Sequence, residues 1–329
     1  EDYATCCANC DNYTCDNNVT FVAGRGSVCH ACLNDYCYCE GCDGWSTESH
    51  DHDDEGDSEE DDRRVHDYGY KPCPAFALAE GEQQQDQTRF LGIELEVEVK
   101  ECGTDGVCAL VEAAGLPVYL TADGSLDRGV EIVSHPTTST RLHQDREAWD
   151  KLLTSLAKRG ARSYDTSTCG MHVHLSRKAF AGNHLFTFMY FIYMNPALTL
   201  LVSQRRPGLL AKWAAMLDDK SEVEALDVLR RKAQDKFNNL DENGRYVAVN
   251  IQNNYTIEVR IFRGSLKPAS FWKNIEFCEA VYVYTRDAST ESLTDIAFLA
   301  WLDGNEGTYP NLHAFLCRAN KINRKGGDE

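Results

Sequence analysis

The sequence predicts an α+β protein built on a curved, mainly antiparallel sheet with helices, preceded by a small zinc-binding module. Three observations carry this. In the larger part of the chain, short alternating runs joined by turns precede blocks of helical periodicity, an order that differs from repeated βαβ units. Ten of the fifteen cysteines lie at or before Cys73. Between these regions, Glu48 to Asp62 holds ten acidic residues and no Lys or Arg.

The shifts in composition divide the 329 residues into a Cys-rich module over 1–45, a linker over 46–87 and a folded domain over 88–329. The linker is acidic and then rich in Tyr, Pro and Gln, a composition that buries too little apolar area to order itself. Net charge is −19, and without the acidic run it is about −9. Such a surface repels polyphosphate, which argues against nucleic acid as a partner bound through charge. Leu185 to Val202 is an uncharged run of eighteen residues, long enough to raise the question of a membrane span. Asn195-Pro196 interrupts it and Thr187 and Thr199 lie inside it, so two buried helical runs meeting at the Asn-Pro are expected, and no membrane partner. An odd cysteine total, with five thiols scattered singly, points to a reducing cytoplasm.

Phe90 to Val99 alternates strictly and reads as a strand, and Glu131 to Ser134 reads as another after a turn at Asp123-Gly124-Ser125. Trp149, Leu152, Leu153 and Leu156 recur at helical spacing, with Gly160 as a stop. Met171 to Ser176 reads as a strand, 178–203 as helical, and Glu222 to Phe237 as a further helix. Tyr246–Asn250 and Thr256–Phe262 form an expected hairpin around Gln252-Asn253-Asn254. Helices over 271–287, 292–302 and 309–320 close the chain.

The chemistry lies on the strands. Period two puts Glu94, Glu96 and Glu98 on one face and Ile93, Leu95, Val97 and Val99 on the other. Met171 to Leu175 sets His172 and His174 opposite apolar residues, and Thr256 to Phe262 does the same with Glu258 and Arg260. Asp123, Asp127 and Glu131 add acids at a turn and on a strand. Packed into one sheet, these polar faces would line an acidic cup with two imidazoles and a guanidinium. Such donors suit Mg²⁺ or Mn²⁺.

The ordered set Gly92-Ile-Glu94-Leu-Glu96, Asp123-Gly-Ser, Glu131-Ile-Val, Gly170-Met-His172-Val-His174 and Glu258-Val-Arg260-Ile-Phe resembles the amidoligase family of the glutamine synthetase and glutamate–cysteine ligase superfamily. The likeness spans about Thr88 to Leu266, and Tyr68-Gly-Tyr-Lys-Pro72 resembles the linker of phage-encoded members, which implies a host cytoplasm. The resemblance implies ATP- and Mg²⁺-dependent amide formation: a carboxylate takes the γ-phosphoryl group, and an amine then displaces phosphate. By that pattern Glu94, His172 and Glu258 hold the metal nearest the ATP phosphates, while Glu96 and Glu131, with Asp123, hold the one nearest the reacting carboxylate. Arg260 stabilises the transferring group and His174 contacts phosphate or substrate. Arg205 and Arg206 could reach phosphate, and Arg245, Asn250 and Arg263 flank the strands. The implied partner is a small molecule, peptide or protein with a carboxylate and an amine. No G-x-x-x-x-G-K-[ST] occurs, which argues against a P-loop mechanism. Cys169 beside the His motif would suit a Cys/His nucleophile, but the acidic strands would then have no role.

Cys7-x-x-Cys10 and Cys29-x-x-Cys32, eighteen residues apart, have the spacing of a structural Zn²⁺ site. Cys39-x-x-Cys42 suggests a second ion, with Cys15, His30, Cys37, His50, His52, His66 and Cys73 as further donors. A different class of function would be a non-catalytic adaptor, a zinc module on a degenerate ligase fold. The intact acid and imidazole set favours the enzyme. A ligase for nucleobases or RNA is a variant that the acidic charge disfavours.

Overall fold

The alternation from Phe90 becomes the central strand of a seven-stranded sheet. The computed structural model describes residues 64–208 and 247–322 except 68–69, 71, 100–102, 125, 127 and 165, and within the first 63 residues positions 4–6, 13–15, 19–23, 26–29, 32, 37–39 and 44–46. The chain divides into two units, Glu1–Arg63 and Arg64–Glu329. In the first, β1 (Ala4–Cys6) pairs with β2 (Tyr13–Cys15). A four-stranded sheet there has the order β4 (Gly26–Cys29), β3 (Val19–Ala23), β6 (Gly44–Ser46), β5 (Cys37–Cys39), with β3 and β6 parallel.

In the second unit the sheet order is β12 (Val249–Asn250), β13 (Thr256–Arg263), β11 (Gly170–Ser176), β7 (Phe90–Glu98), β9 (Gly129–Ser134), β8 (Val118–Thr121), and β10 (Thr137–Thr138) also pairs with β7. Every pairing among these strands is antiparallel. Leu91, Ile93, Leu95, Val97, Met171, Val173 and Ile257 on one face are at most 1% exposed and belong to a single core with the helices. Those helices are α1 (Gly103–Ala114), α2 (Ser139–Gln144), α3 (Arg146–Lys158), α4 (His184–Met194), α5 (Pro196–Ser203), α6 (Pro268–Asp287), α7 (Asp295–Asp303) and α8 (Pro310–Arg318).

The uncharged run does break at Asn195-Pro196: α4 and α5 meet at 81°, and no single helix among the described residues is long and apolar enough to cross a membrane. Proline has no N–H and opens α5 at a position where none is needed. Asn195 fixes the break. Its Nδ2 donates to Phe191 O at 2.8 Å and Leu293 O at 3.1 Å, and its Oδ1 accepts from Asp295 N at 2.8 Å. The expected helix over 222–237 lies outside the described residues.

The segment 64–87, read from composition as linker, runs along the sheet. His66 N donates to Leu120 O at 2.9 Å and accepts at its carbonyl from Ala122 N, and Ala77 bridges to Thr137 in the same way. Arg64 adds a two-pronged pair with Glu112 of α1. These are pairings with residues distant in sequence, to which local composition is blind.

Helix α6 is the buttress, and its burial was not legible from an amphipathic pattern. Lys273, Glu276 and Glu279 are each at most 3% exposed, which demands a partner for each. Lys273 Nζ donates to Val202 O, Glu276 accepts from Leu312 N at 2.7 Å, and Glu279 meets Arg89 at 3.0 Å. Burial lowers the Lys273 ammonium from the ordinary 10.5 to about 7. The unfolded chain therefore holds more protons between about pH 7 and 10.5, and stability contributed at this position rises with pH across that window. We expect Lys273→Met to be more stable than wild type at pH 7 by roughly 2–4 kcal/mol, an advantage that shrinks as pH rises toward 10. Urea unfolding of both proteins at pH 7, 8.5 and 9.5 checks this, and a pH-independent difference would contradict it.

Candidate active site

Register places the polar side chains. Gly92, His174, Glu258 and Asn250 are directly opposite one another in a row across β7, β11, β13 and β12. Val133, Glu94 and His172 form the next row, and Thr121, Glu131 and Glu96 the third. Apart from Gly92 and Val133 these positions are polar, and the rows lie on the face opposite Ile93, Leu95 and Val97, because successive side chains alternate.

Within these rows the groups are in contact. His172 Nδ1 is 3.0 Å from Glu94 Oε2 and 3.3 Å from Glu258 Oε1, and its Nε2 is 3.9 Å from Glu96 Oε1. His174 Nε2 is 2.9 Å from Glu94 Oε1, while Thr256 Oγ1 holds its Nδ1 at 3.1 Å. Asn250 Nδ2 donates to Glu258 Oε2 at 2.8 Å, and Arg260 Nη1 donates to Glu258 Oε1. Thr121 donates to Glu131 at 3.2 Å. Glu96 accepts from the backbone N–H of Gly170. A Cβ at residue 170 would overlap the Arg205 guanidinium and come within 3.3 Å of Glu96 Oε2 and 3.4 Å of His172 Nε2, so glycine there leaves the space between these groups open.

Strand β13 contains a bulge. Met171 pairs with Phe262 but Val173 pairs with Val259, so one extra residue of β13 lies opposite His172. Simple alternation would put Phe262 on the face of Glu258. The bulge instead turns Ile261 and Phe262 into the core, both 0% exposed, and sets Arg263 opposite Gly170.

The arginines after α5 separate. Gln204 adopts a left-handed conformation with φ 55°, after which Arg205 turns inward and Arg206 stays exposed. Arg205 is 7% exposed, and its Nε donates to Phe262 O at 3.0 Å. Burial lowers it to about 10, against the Glu96 charge and with help from Arg260 and Arg263 nearby. One end of the cup is thus rich in guanidinium and the remainder in carboxylate.

Three groups of donor atoms lie within 4.8 Å of one another: Glu94, Glu131 and His172; Glu94, His174 and Glu258; and Glu96, Asp123 and Glu131. His172 Nδ1 touches both Glu94 and Glu258, but the imidazole grouped with those two carboxylates is that of His174. Glu131 is pushed up to about 9, first by burial and then by Glu94, Glu96 and Asp123. Burial also opposes the charge on Glu94, yet His174 and hydrogen bonds from both imidazoles hold it well below the ordinary carboxylate range. Glu94 in turn raises His174 to about 9, against burial. Acids that keep a proton for want of positive charge fit a divalent cation, and carboxylates with an imidazole suit Mg²⁺ or Mn²⁺.

Cys169 is 3% exposed and burial pushes its thiol to about 12, which removes it as a nucleophile. Arg245 lies outside the described residues. So do Cys7, Cys10 and Cys42 and the side chain of Cys39, while Cys29 and Cys32 are half-buried. Thr121 and Thr256 had no role among the expected site residues, and Gly170 entered only as part of the His motif. Thr256 is in phase with Glu258 and could have been found by the same alternation.

The sheet thus has helices on one face and, on the other, acids and imidazoles whose donor atoms are close enough to hold a cation. The chain belongs to the family described as "Putative amidoligase enzyme", whose sequence profile matches residues 60–282. No curated protein sequence matches it. Among solved structures it is similar to a chain in the crystal structure of the complex between the prokaryotic ubiquitin-like protein Pup and its ligase PafA, at 11% identity and a TM-score of 0.28, over 60% of this chain and 46% of that one. The match therefore spans under half of that chain's length.

The strain among the acids gives a test. Because Glu131 is protonated well above its usual value in the fold, its contribution to stability is full below about pH 4.5 and is lost as pH rises toward 9. Glu131→Gln should be on the order of 2–3 kcal/mol more stable than wild type at pH 7 without divalent cations. Saturating Mn²⁺ should stabilise the wild type more than the variant. Differential scanning calorimetry with and without Mn²⁺ measures both, and equal Mn²⁺ responses would remove Glu131 from the cation site.

Proposed function

We propose that this protein is an ATP- and Mg²⁺-dependent carboxylate–amine ligase, with Mn²⁺ as an alternative cation, that forms an amide through an acyl phosphate on an amino acid, peptide or protein. The observation that supports this best is the sharing of acids between donor groups. Glu94 belongs to two of the three groups and Glu131 to two, so the donor groups run together along the sheet and could hold neighbouring cations.

Glu94, His172 and Glu258 would hold one cation, and Glu96, Glu131 and Asp123 another. When bound, such cations neutralise phosphate charge and fix phosphate and carboxylate oxygens in line. The chain's own groups supply the rest. Arg260, with Arg205 and Arg263 behind it, presents positive charge to the transferring phosphoryl group. His174, whose hold on a proton Glu94 strengthens against burial, would contact phosphate or substrate. Glu96, held by the Gly170 N–H, keeps a fixed orientation toward the carboxylate end.

In the first step a substrate carboxylate oxygen bonds to the γ-phosphorus as the bond to the bridging oxygen breaks, and ADP leaves. In the second, the amine nitrogen attacks the acyl carbon, loses a proton, and inorganic phosphate departs. Both steps build charge on phosphate oxygens where the arginines lie, an arrangement that favours the transition state. The amino-terminal Cys pairs would carry structural Zn²⁺ and could hold a protein substrate or a partner.

Glu258→Gln retains shape and hydrogen-bonding capacity while deleting one charge. With Mg²⁺ and ATP the wild type should show a rise in thermal midpoint of several degrees, and Glu258→Gln little or none. Glu80→Gln, at an exposed position, should match the wild type. Equal shifts in wild type and Glu258→Gln would place nucleotide elsewhere. No shift in the wild type with either Mg²⁺ or Mn²⁺ would favour the adaptor.

A further inference from the structure

The α7–α8 hairpin gathers donors of a different kind from those on the sheet. His313 and Cys317 are i and i+4 on α8, so their side chains share one helix face. Asp303 ends α7, and Glu306 lies in the connection between the two helices. Asp303 Oδ1 is 3.0 Å and Glu306 Oε2 3.8 Å from His313 Nε2, and these three atoms lie within 4.8 Å of one another. Cys317 Sγ is 3.8 Å from the same nitrogen and 3.8 Å from Nδ1.

These spacings fit one ion. Bonds of about 2.0–2.3 Å in a tetrahedron put two nitrogen or oxygen ligands about 3.3 Å apart, and a nitrogen and a sulfur about 3.6 Å. The carboxylate contacts to His313 Nε2, 3.0 and 3.8 Å, lie within about half an ångström of those edges, while Cys317 Sγ, equally far from both ring nitrogens, reaches the fourth corner by a change of rotamer. The ligand types select the metal. A thiolate and an imidazole beside two carboxylates are borderline donors that suit Zn²⁺, whereas the carboxylate-rich face of the sheet suits harder ions. All four residues fall within the stretch 303–317, so closing the loop costs little chain entropy. Asp303 and Glu306 keep 35% and 50% of their side-chain surface, which leaves a path for entry.

We propose that Asp303, Glu306, His313 and Cys317 form a structural Zn²⁺ site that fastens α7 to α8. Four protein ligands leave no open position, so the ion braces the fold and activates no water. The connection it fixes also contributes Gly307 to Pro310 to the wall of a cavity of about 400 Å³, whose other side is Arg89, His143, Arg146 and Glu279. Metal binding at the hairpin would therefore set that cavity's shape.

The test uses the whole chain, stripped with a chelator and titrated with Zn²⁺ alone. The amino-terminal cysteines and the sheet acids can also take zinc, so position and difference are the readouts. Anomalous scattering at the zinc edge should show a peak bounded by Asp303, Glu306, His313 and Cys317. His313→Gln should bind one fewer zinc per chain than wild type by elemental analysis. Cys317→Ser, at a half-buried position tolerant of the change, should weaken binding at this site by at least about tenfold, since even outer-shell losses cost that much. Cys317→Ser should unfold at the wild-type temperature in chelator, where no ion contributes; His313→Gln, which also loses its contacts with Asp303 and Glu306, is read by zinc content alone. Unchanged zinc content in His313→Gln, unchanged affinity in Cys317→Ser, or anomalous density confined to other positions would overturn the proposal.

Discussion

Everything at the candidate site depends on one register: Glu94 opposite His172 and His174 opposite Glu258. In a strand the side-chain period is two, so a slip of one residue would send every carboxylate and imidazole into the helical layer and bring Ile93, Val173 and Val259 out. The core locks the register, since those apolar residues are at most 1% exposed. The hydrophobic effect on one face thus holds together charges that repel on the other. Folding energy from burial offsets the crowding of Glu94, Glu96, Asp123 and Glu131, and the proton affinity of Glu131, raised first by its own burial and then by those neighbours, is the mark of that opposition.

The same logic explains why α6 carries charges inside. A helix that backs a polar sheet must connect to several elements at once, and apolar contacts alone do not fix its rotation. Lys273 reaches the end of α5, Glu276 the start of α8, and Glu279 the residue before β7. Each link is a directional contact with a distinct element. Arg177 does similar work at the edge, donating to the carbonyls of Ile251 and Asn253 and so holding the turn before β13. That turn presents Thr256 and Asn250 to His174 and Glu258.

What sequence revealed and what it hid follow from range. The phase of Glu94, Glu96, His172, His174 and Glu258 is a local property of alternation, and so is the helix break at Asn195-Pro196. The amidoligase motifs add order to those phases. Helix α1 escaped because Gly103 and Gly106 weaken its propensity, although Val107, Cys108 and Val111 bury one stripe of it. The pairing of residues 64–87 with the sheet depends on partners more than forty positions away. Adjacent in sequence, Arg205 and Arg206 carried the same expectation of reaching phosphate, yet only Arg205 turns inward. Its burial follows from the left-handed turn at Gln204 and from the space left by Gly170, neither of which has a local signature.

The bulge in β13 has a consequence for how the site is encoded. The one extra residue opposite His172 acts as a half-turn in the strand: before it, even-numbered side chains face the cup, and after it, odd-numbered ones do. Spacing along the chain is therefore as much a part of the site as residue type. A chain lacking Ile261 would keep every acid, imidazole and guanidinium and would change which of them can meet. Lists of matched residues are blind to this, because the information resides in the count between them.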